Sequence, residues 1–266
     1  MEVNIDQTRW YDRLLAAFIF FTRLPFWRLR QPPQACYQTV VEHWPLTGWL
    51  TGGLMALTLY FGNYVLPYPV AVLLAIIVRL LTTGALHEDG LADFIDGFGG
   101  GGTDRQRILS IMKDSHIGTY GVLGLVCYLA VLAASLLMLP PQTAALAVLA
   151  ADPFSKMLSS QLILMMPYAR TADTAKNGTV YRKPSVQAGI SLAFQGLLPL
   201  ALFIWLQPTR GDWSMLIFLP ALTMYFLYML IWRRLRGYTG DCCGAVCLLV
   251  ELTFYLVVCS QNYSVY

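Results

Sequence analysis

Four stretches without a single charged residue, 45–78, 117–139, 185–207 and 213–232, constrain this chain more than any other feature. A helix that crosses a bilayer needs about 20 mostly apolar residues. Each stretch meets that length, and the first is long enough for two helices broken near Pro67 and Pro69. Residues 142–167 and 241–261 also have the length but carry Asp152 with Lys156, and Asp241 with Glu251. The expected fold is therefore all-α, a polytopic transmembrane helical bundle of about seven spans, because only helices or closed barrels satisfy their backbone in lipid. Composition agrees: 12% of residues are charged, against roughly 25% in an ordinary soluble domain.

Residues 14–27 are apolar but interrupted by Arg23 and Pro25 and flanked by Arg9, Arg13, Arg28 and Arg30. They read as an N-terminal interfacial or re-entrant helix rather than a span. The signal-peptide order of basic flank, apolar core and small-residue cleavage site is missing, so no cleavage is expected. Most of the six cysteines fall inside expected spans, where thiols act as small apolar side chains, and no zinc-type pairing occurs. A net charge of +3 implies no nucleic-acid partner. No linker or internal repeat divides the chain, so residues 1–266 read as a single integral membrane domain.

With seven spans and the N-terminus inside, the short inside loops 1–44, 88–116, 168–184 and 233–240 hold fifteen Lys and Arg, and the outside loops only Arg210. That asymmetry follows the positive-inside rule. It places the protein in the cytoplasmic (inner) membrane of a cell, with its acidic segment facing the cytoplasm.

Six of the fifteen acids lie between Glu88 and Asp114. If residues 86–97 continue the second span as a helix, Asp89, Asp93 and Asp96 stand at i, i+4 and i+7, within about 60° of one another. Carboxylates about 6 Å apart repel by roughly 3 kcal/mol per pair at an effective dielectric near 20. No Lys or Arg from His87 to Asp104 relieves that repulsion. A hard cation is the natural remedy, and Mg²⁺ takes one or two carboxylates while leaving its other positions to water and phosphate. The chemistry implied is metal-assisted phosphoryl transfer.

Five glycines in the six residues 97–102 follow this helix without a preceding strand, which excludes a dinucleotide fingerprint. They read as a helix stop and a flexible loop, where Gly99 and Gly100 let backbone approach a ligand. Thr103-Asp104-Arg105-Gln106 has capping-box spacing and opens a helix ending near Lys113. Lys113, Asp114 and Ser115 then place a cation, a carboxylate and a hydroxyl at the membrane interface, where a phosphate would lie. Near the C-terminus, Thr239-Gly240-Asp241-Cys242-Cys243-Gly244 opens the last span with small residues that allow close approach. Asp241, at the same membrane face, is a further metal ligand or a general base. Glu251, deeper in that span, calls for a polar partner. Asp152 and Lys156, one turn apart, read as a mutual pair.

His87-Glu88-Asp89-Gly90-Leu91-Ala92-Asp93 with Asp96-Gly97, the 107–118 stretch around Ile111-Met112-Lys113-Asp114-Ser115, and Thr239-Gly240-Asp241 followed by Gly244-Ala245 and Glu251 together resemble one family. It is the adenosylcobinamide-GDP ribazoletransferase family, also called cobalamin-5′-phosphate synthases. Phe20-Phe21-Thr22-Arg23-Leu24-Pro25 is similar to that family's opening. Glu88 departs from the family's usual leucine, and His116 from its usual arginine.

The resemblance implies a Mg²⁺-dependent reaction of adenosylcobinamide-GDP with α-ribazole or its 5′-phosphate, giving adenosylcobalamin or its 5′-phosphate and GMP. Under it, Asp89, Asp93 and Asp96 hold Mg²⁺, and Asp241 completes the site or acts as base. Asp114 is a further ligand candidate, and Lys113 contacts the diphosphate. Gly99, Gly100, Ser115, Thr239 and Gly240 line the substrates. Basic groups between Arg170 and Lys183 either hold a phosphate or orient the protein. The implied partners are the two substrates and the lipid bilayer; a homo-oligomer is left open. From the residues alone, two rivals stand. One is a cation- or proton-coupled transporter using Asp152, Lys156, Asp241 and Glu251; the other is a lipid-directed phosphotransferase.

Overall fold

The computed structural model describes residues 8–170, 180–207 and 213–263. Among them the chain forms ten α-helices and no named strand. In chain order these are α1 (Trp10–Phe21), α2 (Trp44–Val65), α3 (Tyr68–Thr83), α4 (Leu86–Gly100), α5 (Arg105–Ile111), α6 (Thr119–Leu137), α7 (Pro141–Met165), α8 (Val186–Leu206), α9 (Trp213–Leu235) and α10 (Gly240–Tyr263).

Helices α6, α8, α9 and α10 are long and apolar enough to cross a membrane, and α3 with α4 makes a fifth candidate if the bent pair is one span. The expectation was about seven. Helices α2 and α7 have the length, 22 and 25 residues, but fall short in hydropathy. The reason is position: they pack on each other in the interior and carry Thr47, Thr51, Asp152, Ser155, Lys156 and Ser159 buried between them and their neighbours. Helix α10 is the interior span, while α6, α8 and α9 turn Val122, Val126, Phe194, Phe218 and Phe226 outward, as lipid contact requires.

The expected mutual pair is present. Lys156 Nζ donates to Asp152 Oδ1, and Thr51 Oγ1 on α2 donates to Asp152 Oδ2 at 2.5 Å. Gly48 and Gly52 allow this approach, since a Cβ on Gly48 would lie 2.9 Å from Pro153 Cα.

Glu251 also finds its partner, and the partner is a residue the charge-free stretch stopped just short of. Arg79 on α3 donates to Glu251 Oε1 and Oε2 at 2.7 and 2.8 Å, to Glu88 Oε1 at 3.2 Å and to Tyr128 on α6 at 2.5 Å. One guanidinium thus joins α3, α4, α6 and α10. Glu88 belongs to this buried group, not to the acids at the site, and its Oε2 has no hydrogen-bond partner among the described residues.

Helix α1 covers Trp10–Phe21, 12 residues, or ~18 Å, and packs beside the 3₁₀ segment Gln34–His43 and α2. Its buried Asp12 is held by Arg30 Nε at 2.7 Å.

Candidate active site

Helix α4 does not continue α3. Gly84 (φ 64°) and Ala85 (φ 54°) both adopt the left-handed conformation, and the helix axis turns by 89°. Glycine is required at the first position for a second reason: a Cβ there would lie 2.3 Å from Arg23 Nε. The acidic helix therefore runs nearly at right angles to α3, and its three aspartates meet different surroundings.

Asp89 is exposed to a cavity of about 110 Å³ between α1, α2, α4 and α10. Asp93, one turn on, is half-buried. Asp96 is buried and accepts the backbone N–H of Gly118 at 2.7 Å and of Gly121 at 2.8 Å. These are N–H groups at the start of α6 that no helical carbonyl satisfies, and a carboxylate is their strongest natural acceptor. Both Asp96 oxygens are thus engaged in fastening α4 to α6.

Asp241 lines the same cavity as Asp89 because α4 and α10 touch backbone to backbone. A Cβ on Gly90 would lie 3.1 Å from Asp241 Cα, and one on Gly244 3.3 Å from the His87 carbonyl oxygen. Gly90→Val is accordingly expected to cost about 1–3 kcal/mol by overpacking, read as a lowered melting temperature of the solubilised protein. Thr239 is buried and accepts the Cys242 backbone N–H at 3.2 Å, so its hydroxyl caps α10. Gly240, the first residue of α10, lines the cavity beside Asp241.

A short parallel pairing brings a cation to these carboxylates. Ala169 N–H donates to the Tyr238 carbonyl at 2.8 Å, and Tyr238 N–H to the Pro167 carbonyl at 3.0 Å. Gly237 is needed there, since a Cβ would lie 2.7 Å from Pro167 O. Arg170, next in the chain, consequently lines the cavity with Asp89, Asp241 and Gly240. The same cavity is bordered by Phe20, Phe21, Trp44, His87, Tyr168 and Tyr181. Burial pushes the Tyr168 and Tyr181 phenols up, so both remain neutral hydroxyls at ordinary pH.

Other expected site residues lie elsewhere. Helix α4 runs through Gly100 instead of stopping at the glycines. A Cβ on Gly97 would lie 2.5 Å from Met112 Cγ, and one on Gly99 2.9 Å from the Tyr120 ring. The glycines give α5 and α6 close seats on α4, and only Gly102, at φ 61°, turns the chain. The cap of α5 is Asp104, whose Oδ1 accepts from Gln106 and Arg107 N–H at 2.9 and 3.3 Å. Thr103 does not supply it. Lys113, Asp114 and Ser115 are exposed between α5 and α6 and do not line the cavity. Asp114 accepts from His116 at Nδ1 and from its backbone N–H, which holds its carboxyl below the usual range.

Among the described residues, no three His, Cys, Asp or Glu side chains are grouped as a ready-made metal cage. The donors at the cavity nevertheless suit Mg²⁺. Asp89 and Asp241 offer hard oxygen donors from two helices, and that ion takes one or two carboxylates with water and substrate phosphate completing its shell. Three of the four groups of the rival cation path are paired: Asp152 with Lys156, and Glu251 with Arg79.

Comparisons with known proteins agree with the family resemblance. Residues 13–259 match the family model described as cobalamin-5-phosphate synthase. An adenosylcobinamide-GDP ribazoletransferase of Vibrio parahaemolyticus is 36% identical over 93% of this chain and 91% of its own length. One from Shewanella baltica is 34% identical over 93% of both chains. One from Leptospira interrogans is 31% identical over 96% of this chain and 97% of its own. No solved structure matches the chain significantly.

Proposed function

This chain belongs to the cobalamin-5-phosphate synthase family and is a transferase of cobalamin synthesis; from that premise we propose a Mg²⁺-dependent ribazole transfer at the α4–α10 cavity. The substrates are adenosylcobinamide-GDP and α-ribazole or its 5′-phosphate. The acceptor hydroxyl attacks the phosphorus on the cobinamide side, a phosphodiester forms, and the bond to GMP breaks. One observation carries the reading: Asp89 of α4, Asp241 at the start of α10 and Arg170 line one cavity.

Each residue then has a task. Asp241 takes the proton of the attacking hydroxyl. Arg170 holds diphosphate oxygens with its planar fork, and the first N–H groups of α10, at Gly240 and beyond, receive the same anion. Asp89 would hold Mg²⁺, with Asp93 one turn along α4 as the next donor. A bound ion would supply neutralisation of charge developing on the leaving phosphate. Asp96 keeps α4 in register with α6. Lys113, Asp114 and Ser115, and Gly99 and Gly100, receive no chemical step in this arrangement. In this reading the substrates reach the cavity from the cytoplasm, which the excess of Lys and Arg in the loops around it favours.

The test is GMP release by purified, detergent-solubilised protein given adenosylcobinamide-GDP and α-ribazole. Release is expected with Mg²⁺, to stop with EDTA and to return when Mg²⁺ is restored. Release that is unchanged in EDTA would sink the metal-dependent reading.

A further inference from the structure

Arg170 reaches the cavity on a pairing too small to stand by itself. Two backbone hydrogen bonds join residues 167–169 to Tyr238, and even a complete two-stranded hairpin is marginal in water. The turn that feeds Tyr238 is unfavourable as well. Arg236, the residue after α9, stands at φ 54°, a left-handed conformation that usually belongs to glycine at helix ends. Both arms of the pairing need support from outside it.

Arg105, the first residue of α5, reaches both. Its Nε donates to the carbonyl of Leu235, the last residue of α9, at 2.7 Å, and its Nη2 to the carbonyl of Ala169 at 2.6 Å. Nε and Nη2 form one edge of the planar guanidinium, the edge that ordinarily receives both oxygens of a carboxylate. Here it takes two carbonyls from distant segments. That of Leu235 ends a helix and has no intrahelical donor; that of Ala169 belongs to the residue whose N–H is already given to Tyr238.

The tie runs in both directions. Arg170 Nη2 donates to the Leu109 carbonyl at 3.1 Å, one turn along α5 from Arg105. Helix α5 is itself pressed on α4, where a Cβ on Gly101 would lie 2.5 Å from Ile108 Cγ1. A closed path of contacts therefore leads from α4, which carries Asp89, through α5 to Arg170 and back across the cavity.

We propose that Arg105 is a positioning residue of the transfer, clamping the α9–α10 turn to residues 167–169 so that the fork of Arg170 meets the diphosphate. The inference rests on the transfer reading for what Arg170 holds, and on the hydrogen bonds alone for what Arg105 holds. It gives α5 and its glycine seats, which line no part of the cavity, a share in the reaction.

Two measurements separate the clamp from the chemistry. Amide hydrogen exchange of the solubilised full chain needs no substrate. In Arg105→Ala the peptides holding Ala169 and Tyr238 are expected to exchange at least about 10-fold faster, and those of α10 beyond Gly244 as in wild type. In GMP release, Arg105→Ala should raise the KM for adenosylcobinamide-GDP about 10-fold, the worth of a hydrogen bond to a charged group, and leave the KM for α-ribazole within about 2-fold. A general loss of structure would instead lower the active fraction and leave both KM values alone. With Arg170 already alanine, Arg105→Ala should add little, because residues acting through one another are not additive. Arg107→Gln removes a charge from the same helix and should match wild type in both assays. Arg105 is exposed, so its alanine variant is expected to fold; if it does not, Arg105→Lys, which keeps the charge and loses the fork, is read in its place. Unchanged exchange overturns the proposal whatever the activity, as does an equal loss in the Arg105 and Arg107 variants or full additivity with Arg170→Ala. Failure of the transfer reading shows separately, as wild-type protein that gives the expected exchange difference but releases no GMP.

Discussion

Asp89→Asn and Asp241→Asn are each expected to lower GMP release by about 10³-fold or more, with the melting temperature of the solubilised protein within a few degrees of wild type. Two effects combine at these positions. A removed base costs ~10²–10⁴ in rate, and a removed electrostatic contact to the transferring phosphate ~10²–10³. Folding is spared because Asp89 is exposed and Asp241 half-exposed. Asp96→Asn should behave in the opposite manner. It weakens two charge-assisted bonds to the start of α6, so it lowers the melting temperature first. Full activity in either Asp89→Asn or Asp241→Asn would remove that residue from the reaction.

Arg79→Leu is expected to destabilise the fold by about 3–5 kcal/mol, because it leaves Glu251 buried without its cation. Arg79 and Glu251 are 4% and 2% exposed, and Glu88 lies against the same guanidinium. Replacing all three by leucine should return the protein to wild-type stability or above it, since an apolar replacement of a buried ion pair is often neutral or better. Thermal unfolding in detergent reads both outcomes. If the triple variant is no more stable than Arg79→Leu, the loss comes from Arg79 packing and not from stranded charge.

The two sets of substitutions divide the acids of this chain by what surrounds them, a division the sequence shows only in part. The i, i+4, i+7 spacing on α4 was legible, since it needs only helical geometry. Where each carboxylate went was not. The Gly84–Ala85 break turned α4 away from the axis of α3, and the α6 N-terminus captured Asp96. The glycine run misled for a related reason: outside a fold, glycine signals a loop, whereas here Met112, Tyr120 and Ile108 fill the missing Cβ positions along a continuing helix. Arg170 was visible as one of several basic residues in its loop. Only its pairing partner, the 237–238 strand-like turn far along the chain, selected it from the others.

By itself, the sequence determined the solvent and the family. Long charge-free runs require lipid, concentrated acids require a cation or a cationic partner, and the motifs from His87 to Gly118 and around Asp241 point to one family. Tertiary structure decided which charges share the cavity and which hold the bundle together. Asp89 and Asp241 meet because Gly90 and Gly244 let two helix backbones touch, and Arg170 joins them through the pairing of Ala169 with Tyr238. Glu88, Asp152 and Glu251 have the same charge as the site aspartates but are enclosed with Arg79 or Lys156. Burial and partner set the role of a carboxylate, and both are properties of packing between distant segments, which composition and local spacing do not encode.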